Sequence, residues 1–275
     1  MKKMLVLLLM LLLLLLCACG KDAVVPEVEL PQYTGFYDLS ACFPEMTMVF
    51  GDNSYVFESG QTRYRLSVRK CYSEQWAPPL GNHERKTRNG LEYYSMNETV
   101  FWDGMDKSGK DEISEIVLAD GDRYITLNGY GGAVSIDALL ALLSNKTVDG
   151  AVLKQHSGGA RLHGANVECN IGLSPETDAY MDILDGDSTM LCTDGEISYV
   201  QSVTERTLDD PHSRFFLCGT DAGVLMISCG VFYEERNNVP EDYLDFLDLE
   251  LVKAVADKLG VTLTNLPQVY LDLYK

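Results

Sequence analysis

The sequence predicts an α+β protein, antiparallel β-sheet hairpins with covering helices, built as two similar strand-then-helix halves. Short runs that alternate apolar and polar residues recur along the chain, separated by Gly, Asp and Asn turns. Two stretches, "SIDALLALLSN" and "VPEDYLDFLDLELVKAVADKLG", carry a helical period with caps, and each follows a block of strands.

Taken in order, "MTMVFGDNSYVFESG" spells a hairpin turning at Gly51-Asp52-Asn53. "TRYRLSVRK" is a half-buried strand, with Tyr64, Leu66 and Val68 on one face and Arg63, Arg65, Ser67 and Arg69 on the other. "GLEYYSMNETVFWDG" and "EISEIVLADGDRYITLNG" continue the pattern, the latter turning at Asp120-Gly121. In the first helix Ser135 is the N-cap, Asp137 sits at the positive end and Asn145 closes it. "VDGAVLKQHSGGARLHG", Val148 to Gly164, reads as the connection between halves. Beyond it lie a strand, "ANVECNIG", and a short helix, "SPETDAYMDILDG", with Ser174 as cap and Pro175 first. Hairpins at Asp194-Gly195 and Asp221-Ala222-Gly223 follow. The last helix starts at Pro240 and stops at Gly260, with Glu241 and Asp242 early and Lys253 and Lys258 late. Its stripe of Leu244, Leu247, Leu251, Val255 and Leu259 should pack on the sheet.

The chain opens with Met1-Lys2-Lys3 and an apolar block from Leu5 to Leu16. At about 1.5 Å per residue that block spans ~18 Å, short of a ~30 Å hydrocarbon core, so a secretory signal fits better than a membrane span. Leu16-Cys17-Ala18-Cys19 resembles the lipobox of bacterial lipoproteins. The resemblance implies cleavage after Ala18, lipid on Cys19, and an anchor on the extracytoplasmic side of the bacterial cell membrane. An ordinary signal cut after Ala18, leaving Cys19 a free thiol, is the other reading. "GKDAVVPEVELPQY", Gly20 to Tyr33, holds Pro26 and Pro31 and reads as a tether reaching up to ~45 Å. The expected divisions are therefore 1–18 signal, 19–33 lipidated Cys and tether, 34–147 first module and 148–275 second module.

With 22 basic and 41 acidic residues the net charge is −19, which excludes nucleic acid as a partner. Six cysteines follow Cys19: Cys42, Cys71, Cys169, Cys192, Cys218 and Cys229. An even number in an exported chain invites disulfides, while Cys192, Cys218 and Cys229 in apolar runs also suit core thiols. Both readings stay open. No C-x-x-C is present to suggest zinc.

"DGMDKSGKDEISE" places Asp106, Ser108, Gly109 and Glu115 at positions three, five, six and twelve of an EF-hand-like loop, but Gly104 occupies position one. An acidic hairpin loop is the better reading, with Asp106, Ser108 and Glu115 the metal candidates. "LNGYGGAVS" offers Gly129, Gly131 and Gly132 either as an anion cradle or as a flexible strand-to-helix connection. His156 and His163 read as loop histidines rather than a metal pair. Ser67-Val68-Arg69-Lys70 matches S-x-x-K, yet on a strand its serine and lysine point to opposite faces. There is no G-x-S-x-G and no H-E-x-x-H, and no cofactor is expected.

Residues 90–146 resemble the closing part of extracytoplasmic domains with a lipoprotein-carrier-like fold, which would imply an apolar groove. "DLELVKAVADKLGVTL" is similar to a segment of extracytoplasmic amino-acid-binding proteins, and by its period is an ordinary amphipathic helix. The leading expectation is a non-catalytic, membrane-anchored lipoprotein binding a protein or small ligand. A lipid or apolar-ligand carrier is the alternative, and an envelope hydrolase the third.

Overall fold

Strand alternation governs most of the computed structural model, which describes residues 38–59, 62–104, 107–145, 147–148, 151–152, 154–184, 189–202, 213–235, 239–240 and 242–275. The strands are β1 (Thr47–Ser59), β2 (Thr62–Cys71), β3 (Glu84–Arg88), β4 (Leu91–Gly104), β5 (Lys107–Asp120) and β6 (Arg123–Tyr130). Helix α1 (Ile136–Asn145) follows, then β7 (Thr147–Val148), β8 (Ala151–Val152), β9 (Lys154–His163) and β10 (Val167–Ser174). The rest are β11 (Thr189–Asp194), β12 (Ile197–Ser202), β13 (Ser213–Thr220), β14 (Gly223–Val231), α2 (Leu249–Leu259), β15 (Leu263–Thr264) and α3 (Gln268–Leu271).

The α+β expectation is overturned. One 13-stranded antiparallel sheet runs β11-β12-β13-β14-β10-β9-β1-β2-β6-β5-β4-β3, with β15 on β13, while α-helix among the described residues is confined to α1, α2 and the one-turn α3. The protein is closer to all-β. The strands are longer than the turn signals suggested, reaching 14 residues in β4 and β5, and two of the predicted helices shrink or vanish.

A second regularity lies in the strand order. Within β1–β6 the spatial order is first, second, sixth, fifth, fourth, third, and α1 follows the sixth. Within β9–β14 the order is the same, and α2 comes after the sixth. The two sets meet where β1 pairs antiparallel with β9.

Helix α1 covers Leu66, Val68, Ile116, Leu118, Ile125 and Leu127 with Ile136, Leu139, Leu142 and Leu143. Helix α2 covers Ile171, Phe216, Leu225 and Ile227 with Val252, Val255, Ala256 and Leu259. Cross-strand partners share a face. Following the rows Asp52–Gly159–Gly172–Met226 and Ser54–Ser67–Thr126 shows that both helices sit on one side of the sheet. On the other side, β12–β14 are covered by the C-terminal tail, where Leu266 and Tyr270 pack on Val200, Leu217 and Val224.

Four local expectations are corrected. Gly51-Asp52-Asn53 makes no turn: β1 runs through it, because Gly51 and Asp52 are laddered to β2 on one side and β9 on the other. The segment Val148–Gly164, read as a connection, holds β9, a central strand paired with both β1 and β10. Among the described residues from Ser174 to Leu184 no α-helix forms. The chain makes turns and a single 3-10 turn at Met181–Ile183, entered through Tyr180 in the left-handed region at φ 67°. Finally, α2 starts at Leu249 rather than Pro240, because Asp248 caps it by accepting from the Leu251 amide at 2.9 Å. The turns before it still bury Leu244 and Leu247, whereas Leu251 is only half-buried. Gly260 closes α2 with φ 71°, a conformation that suits glycine.

The open cysteine question resolves as one disulfide among the described residues, Cys169–Cys229, joining directly opposed positions of β10 and β14. Cys42, Cys71, Cys192 and Cys218 are free thiols. Burial pushes the Cys218 thiol up to about 12, so it stays protonated and inert.

Candidate functional site

The face of β2, β6 and β5 opposite α1 is polar, as the alternation of "TRYRLSVRK" requires. Three rows of cross-strand neighbours build it: Asp52–Arg69–Tyr124, Ser54–Ser67–Thr126, and Arg65–Asn128–Glu115. The equivalent face of the other half is apolar and covered by the tail. Here the cover is instead the connection from β2 to β3. It leaves β2 with the Tyr72 amide bonded to the Val49 carbonyl, makes a 3-10 turn at Glu74–Trp76, and passes Pro78 before returning through His83. Between Pro78 and the three rows lies a cavity of about 220 Å³.

Most polar groups around it are held in place by neighbours. Arg69 pairs with Asp52 at 2.8 Å and lies over the Phe50 ring, its guanidinium carbon 4.4 Å from the centroid. Arg161 lies over Trp76 at 4.7 Å and donates Nε–H to Asn170 at 2.8 Å, tying the cover to β9 and β10. Glu115 is held at 2.6 Å by His83 Nε2 and at 2.5 Å by Asn128 Nδ2. Beside Arg161, burial alone would raise Glu168, but hydrogen bonds from Asn170 and His163 and the Arg161 charge outweigh it and hold the carboxyl below its usual value. Burial, with nearby negative charge, raises the Tyr124 phenol, so it enters the cavity as a neutral hydroxyl.

Arg65 differs. Its Nη2 donates to Ser54 Oγ at 3.1 Å, its Nε–H is buried without an acceptor, and among the described residues no carboxylate lies within ion-pair distance. Trp76 Nε1 and His83 Nδ1 are likewise buried without partners, and the His83 side chain is only 6% exposed. Buried donors normally find partners, and leaving one unmet costs about 1–3 kcal/mol. Of these, Arg65 lines the cavity itself and His83 adjoins it through Glu115, which marks this wall as built for more than packing.

The residues singled out from sequence fall elsewhere, with one exception. Cys19 and Asp106 lie outside the described residues. Ser108 and Glu115 both belong to β5, so at about 3.3 Å per residue they stand ~23 Å apart and cannot share an ion. Glu115 does line the cavity, for a reason the loop motif did not supply. The Gly-rich connection serves close packing: a Cβ on Gly132 would lie 2.3 Å from Thr62 Oγ1. His156 and His163 sit on one strand, and His163 pairs with Glu168 at 2.8 Å. Ser67 meets Ser54 while Lys70 pairs with Asp122, as opposite faces demand. Arg65, Asn128 and His83 escaped sequence reasoning. The one signal was for Arg65, in the row of arginines on the polar face of β2.

A second recess, about 580 Å³, lies between Cys42–Met46 and the Tyr243, Phe246 and Leu251 side chains. It is lined mainly by apolar groups. No helix among the described residues is long and apolar enough to cross a membrane. Against protein-family models, curated proteins and solved structures alike, the chain finds no match.

Proposed function

We propose that this chain is a lipid-anchored extracytoplasmic binding protein, held at the bacterial membrane through Cys19, whose β body takes a small polar ligand into the cavity beneath Pro78. The observation that carries the binding site is Arg65, a guanidinium on the cavity wall without a carboxylate partner among the described residues. An Arg fork is suited to bidentate capture of an anionic group. The Cys169–Cys229 disulfide supports export, since such bonds persist in oxidising compartments.

Two measurements test the reading. Labelling cells with a fatty-acid analogue should mark wild type and leave Cys19→Ala unmarked; equal label removes the anchor. The full chain, purified natively in detergent and then denatured, should release a small polar molecule detectable by mass spectrometry. Thr126→Phe, which fills the cavity, should release none. If wild type and variant release the same species, or neither releases any, the cavity is not the site.

The apolar recess beside Tyr243 and Phe246 favours a second reading, the apolar-ligand carrier. Release of a lipid from wild type that is lost in Leu251→Arg would support it over the first.

A further inference from the structure

We infer that the ligand of the polar cavity is a small zwitterion carrying one carboxylate and one ammonium group, bound between Arg65 and Glu115. The inference rests on the cavity being the binding site and adds the class of molecule.

The lining holds two cations and two anions, Arg65, Arg69, Asp52 and Glu115. Arg69 and Asp52 satisfy each other at 2.8 Å. That leaves Arg65 and Glu115. His83 Nε2 lies 2.6 Å from one Glu115 oxygen, and its Nδ1 is buried without a partner. With the ring proton on Nε2, His83 orients the carboxylate and adds no second buried donor. Asn128 Nδ2 holds the other carboxylate oxygen, so Glu115 is fixed from two sides.

Arg65, Asn128 and Glu115 form one row across β2, β6 and β5. With strands ~4.8 Å apart, the backbones of Arg65 and Glu115 are separated by about 10 Å, and both side chains rise from the same face. A gap of that order suits a molecule whose two charges lie a few ångströms apart, with a hydrogen-bond length added at each end. Ser67, Thr126 and Tyr124 supply hydroxyls alongside. The volume, about 220 Å³, is that of about seven waters at ~30 Å³ each. An amino acid is of that size.

The whole-chain charge points the same way. A net charge of −19 repels a free anion during encounter, and Arg65 alone would have to overcome that field. A zwitterion has no net charge to repel and meets a matching group at each end.

The test uses the full chain in detergent, with each of the standard amino acids as probe at about 10 mM, read by melting temperature and then calorimetry. At least one should raise the melting temperature by several degrees. Its N-acetyl derivative, an anion only, and its amide, a cation only, should not. Arg65→Lys, which keeps the charge but loses the bidentate fork, and Glu115→Gln, which keeps size but removes the charge, should each weaken binding roughly tenfold or more. If the N-acetyl derivative or inorganic phosphate binds as well as the parent, Arg65 acts alone and the zwitterion is wrong. If no amino acid shifts the melting temperature, the inference also fails. Should wild type nonetheless release a small polar molecule that Thr126→Phe lacks, the cavity stands and only the ligand class falls.

Discussion

Reducing the Cys169–Cys229 disulfide, with no residue replaced, isolates what one cross-link contributes to this sheet. The two cysteines face each other across β10 and β14, with Cα atoms 4.1 Å apart and a sequence separation of 60. Both lie in the core under α2, so the reduced thiols stay packed and no cavity opens. In the chain-entropy account, closing a loop of that length removes about 14 cal/mol/K from the unfolded chain, or ~4 kcal/mol at 25 °C. Observed values run from about 2 to 4 kcal/mol, against a total stability of ~5–15 kcal/mol for a typical fold. Urea unfolding of the full chain in detergent, with and without dithiothreitol, should show the midpoint fall by a corresponding amount. The slope should rise, because the uncrosslinked chain exposes more surface on unfolding. An intact mass that does not increase on reduction would mean that no disulfide is present, and coincident unfolding curves would mean that the cross-link contributes nothing.

Leu247, fully buried beneath the turns that lead into α2, should cost ~2–5 kcal/mol as Leu247→Ala in urea unfolding, whereas half-buried Leu251→Ala should cost distinctly less. Equal losses would put both side chains in the same environment. Glu168 has a folded-state pKa lowered by Asn170, His163 and Arg161 in spite of burial. A lowered carboxyl contributes stability above its unfolded value of ~4.3 and loses it as pH falls through the folded value. Glu168→Gln should therefore be less stable than wild type at pH 7, by on the order of 1 kcal/mol, and the difference should vanish in acid once the carboxyl is protonated in the folded state. A difference that persists in acid would assign the effect to packing. Millimolar calcium should leave the melting temperature unchanged, since Ser108 and Glu115 are spread along β5; a rise abolished by Asp106→Ala would mean that the hairpin binds the ion after all.

Local signals were legible wherever one stretch of chain decides its own geometry. The alternation in "TRYRLSVRK" assigned β2 and both its faces correctly, because side-chain direction in a strand depends only on parity. Ser135 was recognisable as a cap and does accept from the Ala138 amide at 3.1 Å. The hairpin between β5 and β6 turns at Gly121-Asp122, one residue from the place expected. Where two local signals competed, sequence could not rank them. Pro240 and Asp248 both look like helix starts, and the burial of Leu244 and Leu247 in a non-helical turn decides for Asp248.

What the sequence determined by itself is therefore a set of strands, two helices, a strongly acidic composition and a signal-like opening. The tertiary structure decided which strands became neighbours. Gly51-Asp52-Asn53 has turn residues, but ladders on both flanks satisfy its backbone only if β1 stays extended. The Gly-rich stretch before Gly164 has low strand propensity, yet it closes the middle of the sheet, where two partners supply hydrogen bonds that its side chains could not foretell. The cavity shows the same division most clearly. Arg65, His83, Glu115 and Asn128 come from three strands and a connection, and no spacing in the chain links them. They meet because β6 lies between β2 and β5, a pairing fixed by apolar burial under α1 on the opposite face.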